Sequence, residues 1–453
     1  MAAPTDPLPI APLSGPIDAV VRVPGSKSLS NRHLVLAALA TAPVRLRGLL
    51  ACDDCDRLLV ALAALGVSHR TVDDGGTPCL ELSRGPAPRE ARVDLGDGGT
   101  PTRFMIALAA AWPGTVVTID GSPRMRERPV AEGIDMLRAL GARIEYLEAD
   151  GRLPVRVDGG TLRGGAIEVG RTASSQFISA LMLAGTAAPE GVDIHFREEP
   201  TSASYIALSL SALMQAGAEV EVAHRPVLLS AAPAGSGLAR ITVRPRRPAP
   251  TSVIDIEPDA SSAVYPAAAA MLVGGSVELP SLPRSSAQPD IAFFRDLALR
   301  GARVAETPAG ALRVSSGPLR ALDADYELAP DAAVMAMVVA ACADLPSTIT
   351  GLGTLRVKES DRIVAVAAGL RALGGEVEEG PDRARIMPLP RTLRPAAIAT
   401  VNDHRIAMAF AILGLARAGV SIRNPACVGK SYPGFWRDLD LLRAARSGEN
   451  RTR

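Results

Sequence analysis

Residues 139–144 read ALGARI, and they join the end of an amphipathic helical pattern to the start of an apolar strand pattern. Glycine suits the junction because it readily adopts the left-handed backbone conformation that ends a helix. Four other segments repeat this pattern, with their glycines at Gly66, Gly217, Gly301 and Gly374. Successive glycines of the set lie 75, 76, 84 and 73 residues apart. We therefore predict a chain of α/β repeats.

The repeats predict six units in two domains, since 453 residues are too many for one ordinary core. A sixth helix is predicted over 437–446, ending at Gly448, and its unit lacks strands. A strand predicted over 17–23 could complete it, which would place the start of the chain with its second half. We expect one domain over 26–256 and a second over 1–25 plus 257–453. The two predicted crossings lie at 23–25 and 256–258.

Composition indicates a soluble globular protein. The net charge is +1, so no global field draws the chain to nucleic acid or to a membrane. Residues 1–13 have neither the basic region nor the apolar core of a signal peptide, and we expect a cytoplasmic protein. Cys52 and Cys55 have CxxC spacing, but no second pair or nearby histidine completes a zinc site, so we expect no metal.

Lysine is rare in this chain and is confined to polar motifs. Only Lys27, Lys358 and Lys430 are lysines among 49 basic residues. Arginine therefore occupies nearly every ordinary basic position. A compact ammonium cannot be exchanged for a planar guanidinium where geometry is tight, so the three lysines are candidate site residues. The alternative is that so few lysines lie in polar motifs by chance.

Five polar motifs lie at predicted helix starts in the first half of the chain. A helix start attracts anions through its free backbone N–H groups and its dipole. The first motif precedes a helical run predicted from His33. Capping residues, plain turns and solvated charge runs are the structural alternatives for each motif taken alone. The five are PGSKSLSNR (24–32), GGTPTR (98–103), PRMRERP (123–129), TASSQF (172–177) and TSASY (201–205).

Four motifs in the second half contain carboxylates, cations or both. Asp331 precedes a strongly apolar helix, where it could be a simple N-cap. Glu359 follows a lysine, and such a pair can be a weak surface ion pair or a source of an acid or base. We expect the helix starts to converge on one cleft that holds several negative charges. The four are PDAA (330–333), VKESDR (357–362), NDHR (402–405) and GKSYP (429–433).

Eight of these motifs, in this order, resemble the EPSP synthase family of enolpyruvyl transferases. The resemblance covers roughly residues 14–440 and includes all but TSASY of the motifs above. It implies an inside-out α/β barrel-like fold of two domains, each with three βαβαββ units, in agreement with the six-fold repeat.

The resemblance also implies a reaction. The enolpyruvyl group of phosphoenolpyruvate passes to the 5-hydroxyl of shikimate 3-phosphate, and phosphate is released through a tetrahedral intermediate. This step belongs to chorismate and aromatic amino acid biosynthesis. The family uses neither metal nor organic cofactor. The expected partners are therefore the two small-molecule substrates, with no nucleic acid and no membrane, and we expect a monomer.

Matched motif positions imply three sets of site residues. Asp331 would take the 5-hydroxyl proton, Glu359 would protonate the methylene carbon, and Lys358 would help set the protonation of Asp331. The catalytic set is Asp331, Glu359 and Lys27. The shikimate 3-phosphate set is Lys27, Ser28, Arg32, Ser174, Ser175, Gln176, Ser202, Tyr205, Asp331 and Lys358. The phosphoenolpyruvate set is Lys27, Gly99, Arg128, Gln176, Arg362, Arg405 and Lys430.

The chain departs from the family pattern at Asp97, Gly98, Phe104 and Thr354. These residues stand where Asn, Ala, Pro and Asn respectively are common. Gly99 keeps the small residue of glyphosate-sensitive members, which implies that glyphosate competes with phosphoenolpyruvate. Two alternatives stay open: a UDP-N-acetylglucosamine enolpyruvyl transferase, which usually carries a loop cysteine not matched here, and a catalytically inactive phosphate-binding paralogue.

Overall fold

The computed structural model describes residues 5–225 and 237–445. The chain divides into a central unit, Gly25–Ile256, and a terminal unit made of Met1–Pro24 with Glu257–Arg453. The domain boundaries predicted from the sequence differ from this division by one residue, at Gly25. The divisions fall between Pro24 and Gly25 and between Ile256 and Glu257.

The elements are numbered along the chain. The terminal unit opens with β1 (Leu8–Pro9) and β2 (Ile17–Val20). The central unit contains α1 (Lys27–Leu39), β3 (Val44–Arg47), α2 (Asp53–Ala64), β4 (Val67–Asp74), β5 (Thr77–Arg84), β6 (Glu90–Asp94), α3 (Gly99–Ala110), β7 (Val116–Asp120), α4 (Pro123–Glu127), α5 (Ala131–Ala139), β8 (Arg143–Tyr146), β9 (Val155–Asp158), β10 (Gly165–Val169), α6 (Ser175–Gly185), β11 (Val192–Phe196), α7 (Ala203–Gln215), β12 (Val220–His224), β13 (Leu238–Val243) and β14 (Ile254–Asp255). The terminal unit resumes with α8 (Ala260–Val273), β15 (Gly275–Leu279), α9 (Ala292–Leu299), β16 (Arg303–Glu306), β17 (Leu312–Ser315), β18 (Ala324–Asp325), α10 (Ala333–Ala340), β19 (Ser347–Thr350), α11 (Arg362–Ala372), β20 (Val377–Glu379), β21 (Ala384–Ile386), β22 (Ala396–Ile398), α12 (His404–Ala416), β23 (Val420–Ile422) and α13 (Phe435–Ala444).

Three four-stranded sheets of one topology make up the strands of the central unit. In the sheet β6-β7-β9-β8, β6 runs parallel to β7, while β9 is antiparallel to both β7 and β8. The sheets β10-β11-β13-β12 and β14-β3-β5-β4 follow the same order. The parallel first strand of the last sheet is β14, so the end of the unit completes the sheet that begins it.

The terminal unit repeats this arrangement with one correction to the prediction. The sheets β2-β15-β17-β16 and β18-β19-β21-β20 have four strands, and β1-β23-β22 has three among the described residues. The strand expected over 17–23 forms as β2 but does not complete the sixth unit. It runs parallel to β15 and completes the fourth unit, with Ile17 opposite Gly275. The sixth sheet is instead joined by β1, antiparallel to β23.

The repeat glycines behave as predicted, and the six-fold α/β fold is confirmed. Their φ angles are positive: +90° at Gly66, +96° at Gly141, +76° at Gly217, +111° at Gly301 and +96° at Gly374. A Cβ on Gly66 would lie 2.2 Å from the carbonyl oxygen of Pro86, so close backbone approach also requires glycine there. The sixth helix, α13, ends before Gly448, which lies outside the described residues.

Buried helices fill the core of each unit. Most of them are apolar on all sides, as suits a helix surrounded by protein, whereas α1 also buries a polar first half. Helices α8, α10 and α12 are almost wholly buried in the terminal unit, as are α1, α3 and α6 in the central unit. The polar motifs lie at the N-terminal ends of most of these helices, so their side chains are anchored on buried elements. Within the described ranges, no helix is long and apolar enough to cross a membrane.

Candidate functional site

The first polar motif forms the first turns of α1. Ser26 is the N-cap, and its Oγ accepts a hydrogen bond from the backbone N–H of Leu29. The helix therefore begins at Lys27, six residues before the helical run predicted from His33. Ser26 caps the helix there, so the residues expected to form a turn are its first turns. Lys27 and Ser28 lie in the first turn, partly exposed, and Lys27 Nζ lies 3.2 Å from Asp54 Oδ2.

Arg32 is a buried residue of α1 whose side chain connects α1 to α6 and α7. It is 2% exposed. Its guanidinium donates Nε to Ser209 Oγ at 2.8 Å and Nη2 to Ser179 Oγ at 3.3 Å, and it stacks over Phe104, with Cζ 5.5 Å from the ring centroid. Burial lowers the pKa of Arg32 to about 10. These contacts indicate a positioning role for Arg32 and explain the phenylalanine at 104, whose ring face attracts the cation.

Gly99 and Arg128 come together at the start of α3. A Cβ on Gly99 would lie 2.5 Å from Arg128 Nη1, so the missing side chain leaves the space that the guanidinium occupies. Arg128 follows α4 and is 7% exposed. Sequence reasoning assigned both residues to phosphoenolpyruvate, and the structure places them in contact.

Gln176, on the first turn of α6, is held from α3. Its Oε1 accepts a hydrogen bond from Arg103, and its Nε2 donates to Thr100 Oγ1 at 2.9 Å. Arg103 also donates to the carbonyl of Pro129. Arg103 was not among the predicted site residues. A basic residue in a buried helix of otherwise small and apolar side chains was the available signal.

The remaining central-unit residues start two helices. Ser174 is the N-cap of α6 and accepts from the backbone N–H of Gln176, while Ser175 is the first helical residue and is buried. Ser202 precedes α7 with φ +48°, a left-handed conformation that is uncommon for serine, and its side chain makes no capping bond. Tyr205 lies in the first turn of α7, and its carbonyl accepts from Arg32.

In the terminal unit, Asp331 is surrounded by cations. Its Oδ2 accepts from Arg405 Nη2 at 2.7 Å, and its Oδ1 accepts from Arg362 Nη1 at 3.1 Å. Lys358 Nζ lies 3.9 Å from Oδ1. The N-cap position of α10 belongs to Ala332, so the alternative of a simple N-cap does not describe Asp331.

Arg362 connects the carboxylates of this region. It is 1% exposed and donates Nε to Asp403 Oδ2 at 2.8 Å and Nη2 to Glu359 Oε2 at 2.9 Å, in addition to its bond to Asp331. Burial would lower the pKa of Arg362, but the charges of Asp403, Glu359 and Asp331 raise it above its ordinary value. We call Asp331, Glu359, Arg362, Asp403, Arg405, Lys358 and Lys430 the terminal-unit cluster.

Two more contacts complete the cluster. Lys430 Nζ lies 3.1 Å from Glu359 Oε1, so Glu359 touches two cations. Asp403 is fully buried and accepts from Ser360 Oγ and from the backbone N–H of Arg405, both at 3.0 Å. Asp403 was not predicted as a site residue, although its place in NDHR, before a buried helix, offered a signal.

Three of the residues that depart from the family pattern lie at or near helix starts and turns. Ser122 Oγ donates to Asp97 Oδ1, and Gly98 is the N-cap of α3. Thr354 lies in a 3₁₀ turn, Gly353–Val357, and its buried Oγ1 has no hydrogen-bond partner among the described residues. Nothing in the structure explains the threonine at this position.

The CxxC pair lies at the start of α2. Cys52 is its N-cap, and both Cys52 and Cys55 are buried free thiols. Across the described ranges, no group of three or more His, Cys, Asp or Glu side chains could hold a metal ion.

This geometry can bind anions and move protons. Helix N-termini and cations in the central unit offer binding sites for phosphates. In the terminal-unit cluster, carboxylates lie beside cations that favour their ionised form. An anionic ligand that engages those cations would raise the proton affinity of the adjacent carboxylates. The cluster can therefore supply both a proton acceptor and a proton donor.

Comparisons with known proteins agree with this chemistry. The family model for EPSP synthase (3-phosphoshikimate 1-carboxyvinyltransferase) matches residues 13–439. A 3-phosphoshikimate 1-carboxyvinyltransferase of Serratia proteamaculans is 38% identical over 425 residues, which cover 93% of this chain and 96% of the relative. One of Escherichia coli is 38% identical over 426 residues, with the same coverage. A solved EPSP synthase structure from Acinetobacter baumannii has a TM-score of 0.73 at 24% identity, covers 98% of both chains and shows the same fold. The chain belongs to the EPSP synthase family.

Proposed function

We propose that this chain transfers the enolpyruvyl group of phosphoenolpyruvate to the 5-hydroxyl of shikimate 3-phosphate and releases phosphate. Family membership supports this reaction, which is that of the 3-phosphoshikimate 1-carboxyvinyltransferases. The single observation that carries the site assignment is Arg362, which bridges Asp331 and Glu359 in one buried cluster. Two carboxylates joined by one cation suit a reaction that removes one proton and delivers another.

Asp331 is the proposed base. Its two oxygens face Arg405 and Arg362, which support an ionised carboxylate ready to take the 5-hydroxyl proton. The oxygen of the alcohol then bonds to C2 of phosphoenolpyruvate as the proton moves to Asp331. Lys358, 3.9 Å from the same carboxylate, would bind shikimate 3-phosphate and stabilise the ionised base.

Glu359 is the proposed acid. In this structure its two oxygens contact Arg362 and Lys430. These are the cations that we assign, with Arg405, to the carboxylate and phosphate of phosphoenolpyruvate. When the anionic substrate neutralises the charges of these cations, Glu359 binds a proton more strongly and can deliver it to the methylene carbon. Elimination then returns a proton from the methyl group to Glu359 and breaks the C–O bond to phosphate, and the departing phosphate takes the proton that Asp331 had accepted.

The central unit would supply the remaining contacts. Lys27, Gly99, Arg128 and Gln176 would bind phosphoenolpyruvate, since cations and open helix N-termini stabilise charge on a phosphoryl group. The proposed contacts to shikimate 3-phosphate are Lys27, Ser28, Arg32, Ser174, Ser175, Gln176, Ser202 and Tyr205. Arg32 would also hold α1 in place, through its hydrogen bonds to Ser179, Ser209 and the carbonyl of Tyr205. A cytoplasmic location and a monomeric state stay predictions.

Phosphate release by the purified protein tests the reaction. With phosphoenolpyruvate present, we expect release that depends on shikimate 3-phosphate and not on UDP-N-acetylglucosamine. Release with the nucleotide sugar alone would replace the proposal with the sister transferase. If the folded protein releases no phosphate with either acceptor, it is an inactive paralogue.

Two variants test the acid and base. Asp331→Ala and Glu359→Ala should each lower turnover by roughly a hundredfold or more, because each removes a proton-transfer group. Asp344→Ala, an exposed aspartate of the same unit, is the matched control and should keep full activity. Binding of shikimate 3-phosphate, measured by calorimetry, should survive in the Glu359 variant. Unchanged turnover in either variant would show that its role is assigned wrongly.

A further inference from the structure

Asp290 is a buried carboxyl that the proposed mechanism does not use. It lies in the 3₁₀ turn Pro289–Ile291, before α9, and is 1% exposed. Aspartate is almost never fully buried unless its carboxyl has partners. The position was not singled out from the sequence, because no motif surrounds it.

The carboxyl of Asp290 joins the starts of two buried helices. Its Oδ1 accepts from the backbone N–H of Ala332 at 3.1 Å, and its Oδ2 accepts from Ser261 Oγ. Ser261 lies in the first turn of α8, and Ala332 is the N-cap of α10. Ala332 directly follows Asp331, so Asp290 is bonded to the peptide that carries the proposed base.

The charges around Asp290 are mixed, and no cation is bonded to it in the described part of the chain. Burial, first, and the negative charge of Asp331, second, raise the pKa of Asp290 to about 7. Ser261 and Arg405 act in the opposite direction. The titratable or charged groups that face Asp290 from the elements packed against it are Asp259, Tyr326, Asp331 and Arg405.

We propose that Asp290 is a positioning residue for Asp331, holding its peptide through Ala332 and strengthening it as a proton acceptor through a second negative charge. A negative charge close to a base stabilises the protonated form of that base, as in other carboxyl pairs. Asp290 keeps its own proton state during the transfer, while the 5-hydroxyl proton moves to Asp331. The inference rests on the proposed function, because it needs Asp331 to be the base.

The charge of Asp290 changes within the range of ordinary assays, which makes the effect measurable. Below about pH 6, Asp290 is mostly protonated and adds no charge, whereas above about pH 8 it is ionised. The free-enzyme profile of kcat/KM should therefore contain one rise near pH 7 that comes from Asp290. Substrate ionisations also act on kcat/KM, but they are common to all variants and cancel in ratios.

Asp290→Asn is the decisive variant, because an amide keeps the oxygen that accepts from Ala332 but carries no charge. We expect kcat/KM equal to the unaltered enzyme below about pH 6, and a deficit of roughly three- to tenfold above about pH 8. Asp296→Asn is the matched control, a buried aspartate on α9, and its ratio to the unaltered enzyme should not vary with pH. A deficit that is the same at every pH, or no deficit, would overturn the proposal.

A second variant keeps the proposal testable if Asp290→Asn does not fold. Ser261→Ala retains the carboxyl but removes a donor that favours its ionised form, so the rise in kcat/KM should move to higher pH. A rise at the same pH as in the unaltered enzyme would refute the proposal. The Asp331→Ala variant separates the two hypotheses. If it is inactive and Asp290→Asn behaves like the unaltered enzyme, the proposed function stands and this inference alone fails.

Discussion

Replacing Arg362 by lysine separates charge from geometry in the terminal-unit cluster. Arginine donates to Asp331, Glu359 and Asp403 in three directions from one planar group. Lysine keeps the positive charge, but its compact ammonium on a flexible stem cannot reproduce the planar fork. At least one carboxylate then loses a charge-assisted hydrogen bond inside the protein.

The expected loss of stability follows from the loss of at least one such hydrogen bond. A hydrogen bond to a charged group contributes about 1.5–3 kcal/mol, so Arg362→Lys should destabilise the terminal unit by about 2–3 kcal/mol. For a unit of this size, this corresponds to a fall in Tm of roughly 4–12 °C. We also expect KM for phosphoenolpyruvate to rise about tenfold or more, since the proposed contact between the guanidinium of Arg362 and this substrate is lost.

Thermal unfolding followed by circular dichroism, together with phosphate release at varied phosphoenolpyruvate, measures both effects. Arg371→Lys is the matched control, because Arg371 pairs with Glu379 and is half exposed. An exposed pair contributes about 0–1 kcal/mol, so its Tm should stay within a few degrees. An Arg362→Lys protein with ordinary Tm and KM would refute the claim that the bridge organises the cluster.

Three further predictions follow from other parts of the molecule. Gly99→Ala should raise KM for phosphoenolpyruvate and Ki for glyphosate, because the added Cβ would displace Arg128 from its place 2.5 Å away; competition kinetics would contradict this if both constants stay unchanged. Burial, first, lowers the pKa of His33 to about 4, so the unfolded chain binds the extra proton between about pH 6.5 and 4, and stability should fall by up to about 3 kcal/mol on acidification across that window. Urea midpoints should show a weaker acid loss in His33→Gln, and an equal loss would exclude His33 as its cause. Chelation by EDTA should leave phosphate release unchanged, since no described cluster offers metal ligands, and a loss restored by a divalent cation would contradict this.

The repeat could be predicted from local physics alone. A helix that ends in a left-handed residue favours glycine whatever surrounds it, so Gly66 and its four equivalents marked the units before any contact was known. The order of the motifs identified the family in the same way, because it needs no knowledge of how segments meet. Locally determined features are those that a window of neighbouring residues can specify.

Contacts between distant segments were decided by the tertiary structure. The alternation in Ile17–Val20 predicts a strand but cannot choose its partner, and the strand joined β15 rather than the sixth unit. Arg362 and Asp403 are 41 residues apart, and nothing local shows that one buried guanidinium will bind three carboxylates. Asp290 carries no motif, and only the tertiary structure shows that it is buried close to Asp331. Helix ends depend on nearby backbone, whereas strand partners and buried charges depend on long-range packing, which a linear pattern does not encode.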